Sequence, residues 1–449
     1  MYKFKQLVIN EFVKLYRSKL ALTCLIILAA LVLMGIVLST DAMIVDSMYW
    51  EEDLDYWIED YEITLQYLED PQEIADMEFE ISFLKDMKKN GYQMNGWLYE
   101  MGIYRELYRT KTYEKENTAK IAQYQSYLAK DGFTRYCEDR LKEQDLLNDE
   151  KWKYETYLEY KIDPDDKRDF RVSLIDETVS LIDELQTLEA VGATTEKITK
   201  LKNDIACNQY RIKEGIATNV AAIIDDEYYF EEQTTFWGTM YDNATLLVVV
   251  GIFCIIAAGR IVANEFVDGT YKLLVLNPVK RGKILFSKYV TVLLFGLLLS
   301  AAIFFTTAIL GALRFGGTMF DPLVRAEDGV IKTYSPLWHL LLNYLCNGVQ
   351  VMMMATLSFC FSALLRSQGA AIGCSLVCYL MGEMINSMLA MASLDLGRFT
   401  FFANWDLRAI ANGRGLYIGQ SVPFALIVLA VHLFVFLLIA YDAFVRREL

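Results

Sequence analysis

Glu265, Gly269, Thr270, Pro278 and Arg281 fall within seventeen residues, directly after an apolar run. Their types and order suggest a docking element. Asp268-Gly269-Thr270 can turn the chain, because glycine reaches positive φ without steric cost. Tyr271 to Leu276 then reads as a short, mostly apolar helix, which Pro278 stops. Lys280, Arg281 and Lys283 can hold anionic headgroups or the acidic residues of a partner. Glu265 can pair with a nearby cation such as Arg260 or Lys272. The product is a rigid, partly apolar knob beside a membrane, suited to a cleft in another protein. An ordinary membrane-surface loop stabilised by charge is the plainer reading.

A second set of polar residues sits inside apolar runs. Asn343, Asn347 and Gln350 follow at i, i+4 and i+7 and share one helical face. Glu383 and Asn386, at i and i+3, share a face of another helix, and His432 lies in a third. Such groups are costly in hydrocarbon and turn towards protein or a water-filled path. They mark either a translocation route or inter-helix hydrogen bonds; Glu383 leans to the first and His432 to the second. Catalytic patterns are missing. With two histidines no H-E-x-x-H pair exists, there is no G-x-S-x-G elbow, and no P-loop G-x-x-x-x-G-K-[ST]. Without a C-x-x-C pair nothing points to a zinc site. We expect no catalytic residue, no metal and no cofactor in this chain.

These residues need a membrane scaffold to position them. Of the 449 residues, 54% are apolar, too many for an ordinary soluble protein. A helix needs roughly 20 apolar residues to cross a bilayer, and six stretches meet that length. We place the spans at 20–40, 243–263, 289–313, 337–365, 369–394 and 422–445. The first is too long for a signal-peptide core and reads as a retained helix. Ahead of it, in residues 1–19, Phe4, Leu7, Val8, Phe12 and Leu15 recur at helical spacing, the mark of an amphipathic helix on the membrane surface. Lysine and arginine gather in the N-terminal segment, in 264–288, at Arg366 and in the tail 446–449. Six spans put all four on one side, which should be cytoplasmic. The loops 314–336 and 395–421 and the large segment 41–242 then lie outside.

That segment holds 47 acidic and 23 basic residues, a net charge of −24 against +9 for the rest. It would repel nucleic acid. A solvated helical surface accounts for the charge; a cationic ligand would also suit it. Asp70-Pro71 and Asp163-Pro164 both read as helix starts. Residues 172–214 read as a coiled-coil-like helical hairpin turning at Gly192. Tyr and Trp residues, among them Trp57, Trp97 and Trp152, read as packing between helices and the membrane surface, or else as a peptide- or lipid-binding face. Cys137 and Cys207 could form one disulfide if the domain is extracellular.

The stretch from Glu265 to Arg281 resembles the corresponding segment of permease subunits of the ABC-2 type transporter family. Those share a pattern close to E-x-x-x-G-T-x-x-x-L-L-x-x-P-(V/I)-x-R. Glu265, Gly269, Thr270, Leu273, Leu274, Pro278, Val279 and Arg281 occupy it here. Six spans and a leading amphipathic helix agree with that family, over about 260 residues outside the insert. The resemblance implies an ATPase-coupling role for these residues. It also implies a separate cytoplasmic ABC ATPase that binds ATP and Mg, and a second permease copy or a related permease. The expected fold is an all-α membrane protein: six transmembrane helices, an N-terminal interfacial helix and a helical extracellular domain. The expected function is export by alternating access in a bacterial plasma membrane. The alternatives are an ATPase-coupled signalling or mechanotransmission protein that moves no solute, and a structural anchor with no ATPase.

Overall fold

The computed structural model describes residues 2–90, 96–110, 114–129, 131–143, 146–166, 169–221, 235–267, 269, 280–327, 329–392 and 394–445. It is an all-α membrane fold. Six helices are long and apolar enough to cross a membrane, and the only sheet among the described residues is one two-stranded hairpin. The chain divides into two compact units: residues 1–39, 220–320 and 335–449, and residues 40–219 with 321–334.

The first unit is the bundle. Helix α1 (Tyr2–Arg17) turns at Lys19, whose φ is 60°, into α2 (Leu20–Leu65), which opens as span 1. Span 2 is built in pieces: α10 (Phe236–Asp242), a 3-10 turn, α11 (Leu247–Ile261) and α12 (Ala263–Val267). Spans 3 to 6 are α13 (Arg281–Phe315), α14 (Pro336–Leu365), α15 (Gln368–Met391) and α17 (Val422–Val445), with the short α16 (Leu407–Ala411) before the last. Cys24, Leu28 and Val32 of span 1 join Val250 and Cys254 of span 2, Phe295 and Leu299 of span 3 and Phe359 of span 4 in one core.

Spans 2 and 4 approach closely, and the sequence explains why. Gly259 leaves room that a Cβ would fill, 3.2 Å from Ser358 Oγ of span 4 and 2.6 Å from Ile372 Cγ1 of span 5. Ser358 and Ser362 use that proximity to donate to the Ile255 and Gly259 carbonyls, each at 2.8 Å. In a membrane the hydrophobic effect does not drive helices together, so small residues and hydroxyl bonds of this kind do much of it.

The second unit contains the later part of α2, then α3 (Pro71–Asn90), α4 (Trp97–Thr110), α5 (Glu114–Tyr127), α6 (Gly132–Arg140), α7 (Asn148–Tyr160), α8 (Phe170–Val191) and α9 (Thr195–Glu214). Helix α3 starts at Pro71 as the sequence predicts, and Gly192 caps the α8–α9 hairpin. Trp57, Tyr61, Trp97 and Trp152 pack between helices as expected, whereas Tyr56 is exposed. Trp57 and Tyr61 lie against Leu54, Phe83 and Met87, and Trp152 lies against Tyr154, Tyr157 and Ile175.

Three expectations change here. Asp163-Pro164 starts no helix: the Asp163 carboxylate accepts from the Asp165 amide at 3.0 Å, and α8 begins only at Phe170 behind Asp169. Asp165 instead caps α4, accepting from the Trp97 and Leu98 amides at 2.5 and 3.1 Å. The domain boundary also moves. Residues 220–242 group with the bundle, whereas the expected loop 314–336 contributes residues 321–334 to the second unit. There β1 (Leu323–Glu327) pairs antiparallel with β2 (Val330–Tyr334), with Gly329 at φ 74° between them; Asp328 lies outside the described residues. An Asp-Gly pair between β-branched runs is the strongest short-range hairpin signal.

Finally, Cys137 and Cys207 are both free. Cys137 is fully buried among the aromatic residues of α6 and α7, and Cys207 sits on α9, which packs on β1. Burial pushes the Cys137 thiol up to about 12 and raises that of the half-buried Cys207. At pH 8 alkylation should therefore modify Cys207 in the folded chain and reach Cys137 only on unfolding. Peptide mass spectrometry without reductant checks this; a linked Cys137–Cys207 peptide would contradict the packing described.

Candidate functional site

Span 3 begins at Arg281, and its inward stripe runs through Ile284, Lys288, Val292, Phe295 and Leu299. A lysine therefore occupies a core position, and Lys288 has no exposed surface. Its Nζ lies 2.8 Å from Glu11 Oε2 and 2.7 Å from Glu265 Oε1. Glu11 is on α1 and Glu265 on α12, so one ammonium ties three elements. Lys14, one helical turn after Glu11, closes the set at 3.0 Å from Glu11 and 3.4 Å from Glu265. Two acids and two bases thus form a neutral quartet, the only form in which a buried charge of this kind is cheap. Partial burial works against the charged form of Lys14, but Glu11 and then Glu265 outweigh it and raise its pKa.

Glu265 has basic partners, as its sequence position suggested, but they are Lys14 and Lys288; Lys272 lies outside the described residues. Likewise α1 does more than rest on a membrane surface. It packs along span 3, with Phe4 stacked on Phe286 at 5.7 Å. Ile9, Val13 and Tyr16 stay exposed on it, an apolar face free to meet lipid.

Phe266, next to Glu265, extends the junction. The Arg366 guanidinium at the end of span 4 lies over its ring at 4.6 Å, and Phe444 of span 6 meets it edge-on at 6.3 Å. Basic residues of three of the four segments singled out by charge bias, Lys14, Lys288 and Arg366, thus lie at one end of the bundle; the tail 446–449 lies outside the described residues. Gly269 has φ 66°, the positive value its turn requires. Arg281 opens span 3. Thr270, Leu273, Leu274 and Pro278 lie outside the described residues.

The polar residues of the spans separate into three places. Asn347 donates to the carbonyl and to Oδ1 of Asn343, both at 3.0 Å, and Gln350 follows half-buried on the same helix. Asn386 is buried, and its Oδ1 accepts from Thr400 at 3.0 Å and Tyr417 at 3.3 Å, so it anchors the segment before span 6. Glu383 is exposed. The shared face expected of Glu383 and Asn386 is therefore split: a 3-residue step falls about 60° short of a full turn, enough to put Asn386 towards loop 395–421 and leave Glu383 outwards. His432 hydrogen-bonds the Val428 carbonyl at 2.9 Å and packs between Phe401 and Phe436, a structural role.

Sequence reasoning missed what residues 395–421 do. They enter the bundle. Trp405 is 5.6 Å from Tyr379 and Phe401 is 5.5 Å from Phe436. Tyr379 and Phe436 lie about 20 Å by helix rise from the ends where the segment enters. Irregular backbone at that depth needs internal hydrogen bonds. The fully buried Asn404 supplies two, to the Arg398 and Thr400 carbonyls at 2.8 and 2.7 Å, and Gln420 supplies another to Ala403 at 2.9 Å. The same segment carries Arg408 to within 3.5 Å of Asn343. Among the described residues no group of three or more His, Cys, Asp or Glu side chains could hold a metal ion.

A family model described as "Protein of unknown function (DUF2705)" matches residues 209–449. Two Bacillus subtilis proteins are similar. "Uncharacterized protein YhcI" is 35% identical over 59% of this chain and 84% of its own. "Uncharacterized membrane protein YdbK" is 28% identical over 47% of this chain and 83% of its own. No solved structure matches. With six apolar helices and a relative so named, the chain is a multi-pass membrane protein.

Replacing Lys288 by Met should leave Glu11 and Glu265 one positive charge short, with Lys14 still beside both, and cost about 3–5 kcal/mol, the usual penalty for breaking a buried pair. Glu11→Gln should cost less, since Glu265 remains. Thermal unfolding of the full chain in detergent measures both. Because the folded-state pKa of Lys14 is raised, its contribution is complete below the ordinary lysine pKa and is lost only as pH rises through the raised value. Unfolding midpoints of wild type and Lys14→Gln should therefore keep a constant gap from pH 6 to 9.

Proposed function

We propose that this chain, which belongs to the DUF2705 family, is the membrane subunit of an ATP-driven exporter of the ABC-2 type. Its ATPase would be a separate chain that binds ATP and Mg and docks on residues 264–281 from the cytoplasm. A second copy of this chain, or a related permease, would complete the pore.

The observation that carries this reading is the quartet of Glu11, Lys14, Glu265 and Lys288. It makes the start of the candidate coupling segment continuous with α1 and span 3. Phe266 adds contacts to Arg366 and span 6. A partner pressing on residues 264–281 would not flex a loose loop. It would move a block that reaches several spans, which is the mechanical requirement for alternating access by rigid-body rocking. The positive φ of Gly269 and the match to the family pattern support the same role. The excess of lysine and arginine at this end supports a cytoplasmic placement, with both termini inside and the acidic unit outside the plasma membrane.

One observation favours the mechanotransmission reading. Span 1 and the first helix of the inserted unit are a single helix, Leu20–Leu65. A continuous helix could carry movement to an external partner without a solute crossing.

Affinity purification of the full chain from native membranes should bring down a P-loop ATPase. Gly269→Val, which forces a β-branched residue to positive φ, combined with Pro278→Ala should release it while the six-span chain remains in the membrane. Failure of the wild type to retain an ATPase sinks the proposal, as does modification of Lys280 by an impermeant reagent applied outside intact cells. In proteoliposomes, ATP turnover without solute movement would favour mechanotransmission.

A further inference from the structure

Span 5 carries a carboxylate that the bundle does not cover. Glu383 is exposed, and so are Leu380 and Met384 beside it. The Ser387 hydroxyl, one turn on, donates at 3.0 Å to the Glu383 main-chain carbonyl and not to its carboxylate. Among the described residues no basic side chain pairs with it. Lys288, also charged and set inside a span, has two carboxylates within 2.8 Å.

The carboxylate is also deep. Span 5 has 24 residues. That is about 36 Å of helix, so centred on roughly 30 Å of hydrocarbon it overhangs by about 3 Å at each end. From Glu383 to Met391, the last residue of the span, is about 12 Å by helix rise, which puts Glu383 about 9 Å inside the hydrocarbon. Helical side chains lean towards the N-terminus, here away from the nearer surface. The group therefore does not snorkel out as a lysine near a helix end does. A bare carboxylate against lipid is costly, and ionisable groups at such depth mark a partner or a pathway.

Its surroundings say which partner fits. Gly382 lets Phe402 lie directly against span 5, where a Cβ would collide with the ring. Tyr379, one turn before Glu383, is 5.6 Å from Trp405, and Trp405 meets Phe402 at 5.1 Å. Tyr379 and Phe402 are half-buried, so both rings keep accessible surface. A carboxylate beside aromatic faces attracts an organic cation, by charge and by cation–π contact. A hard metal ion wants about six or more oxygen ligands, and one carboxylate does not supply them. Depth adds that the cation must carry an apolar body. The net charge of −24 on segment 41–242 favours the same sign of ligand.

We infer that Glu383, with the Tyr379 and Phe402 rings beside it, binds a lipophilic organic cation taken up from the bilayer. The binding claim stands on these residues alone. That the cation is the cargo rests on the transport reading above, and makes the exported class lipophilic cations.

The full chain in phosphatidylcholine nanodiscs should bind radiolabelled tetraphenylphosphonium saturably, above the uptake of empty discs. Glu383→Gln keeps the size of the side chain and disturbs no core contact; affinity should fall at least about tenfold. Glu383→Asp keeps the charge and should bind within about threefold of wild type, while Tyr379→Leu should weaken binding by about threefold, the effect of one cation–π contact. Dicyclohexylcarbodiimide, a carboxyl reagent that enters hydrocarbon, should label Glu383, and tetraphenylphosphonium should protect it; peptide mass spectrometry reads both. Glu383→Gln affinity within about twofold of wild type would overturn the site. So would a Glu383 that the carbodiimide does not reach, because a second copy of the chain then covers it. Displacement by sodium or magnesium chloride as effective as by a second lipophilic cation would overturn the ligand class. Binding that persists while the cation neither stimulates the ATPase nor moves would keep the site and remove the cargo role; ATP-driven export of another solute with no saturable cation binding would overturn the site and leave the transport reading standing.

Discussion

A lysine on the core stripe of a membrane helix is the constraint from which one end of this protein follows. Taking an ammonium out of water costs several kcal/mol even after relaxation, and hydrocarbon offers nothing in return. Lys288 therefore needs carboxylates close by, and the two that serve it come from different elements: Glu11 on α1 and Glu265 on α12. Each acid brings its own surplus charge, and Lys14 removes the last of it. Burial of one side chain thus fixes the approach of an N-terminal helix and the exit angle of span 2. Apolar packing alone would hold α1 on span 3 with less specificity, because hydrophobic contact is non-directional.

The opposite end of the bundle meets the same solvent problem with neutral groups. Residues 395–421 enter among the spans without forming a long helix, so their carbonyls need donors within the protein. Asn404 and Gln420 act as substitutes for water. The Asn404 amide donates to two carbonyls and accepts from Gln420 at 3.2 Å, while Gln420 accepts from the Tyr417 amide at 3.1 Å. Trp405, Phe401 and Phe402 then fill the space between spans 5 and 6 with rings that need few polar partners. This division explains why the segment penetrates so far: side-chain amides satisfy the backbone, and aromatic rings supply the volume.

How much of this is legible in the residues depends on range. The six spans are, because hydropathy is a local sum and the lipid core sets the required length. So is the meeting of Lys14, Lys288 and Arg366 at one end, since an even count of crossings decides it. The α8–α9 hairpin is local too, with its stripe and its glycine. Glu265 is legible as an acid needing a base, but its partners are 23 and 251 residues away, and spacing does not encode them. Lys288 could have been found: it interrupts the stripe Ile284, Val292, Phe295, and a charge in that register asks for a buried partner. The Asp328-Gly329 turn between two β-branched runs carried a plain hairpin signal, hidden by the helical context around it. Asp165 was beyond reach, because it caps α4 from 67 residues downstream. The pairing of Glu383 with Asn386 failed because i and i+3 share a face only loosely, and a re-entrant loop covers one and not the other.

The two ends differ in what they leave unfinished. At the quartet end every charged group has an opposite partner within 3.4 Å, so the block is closed and has no need of a ligand for its own stability. At the other end Tyr241 and Asn343 keep unmet donors beside Arg408. A closed polar cluster resists change, since shifting any member uncovers a charge. The open one carries a standing cost of about 1–3 kcal/mol for each unpaired donor. The two sets are therefore built from different chemistry: full charges have to be matched to be buried at all, whereas neutral amide and phenol donors are left unmatched at that smaller cost.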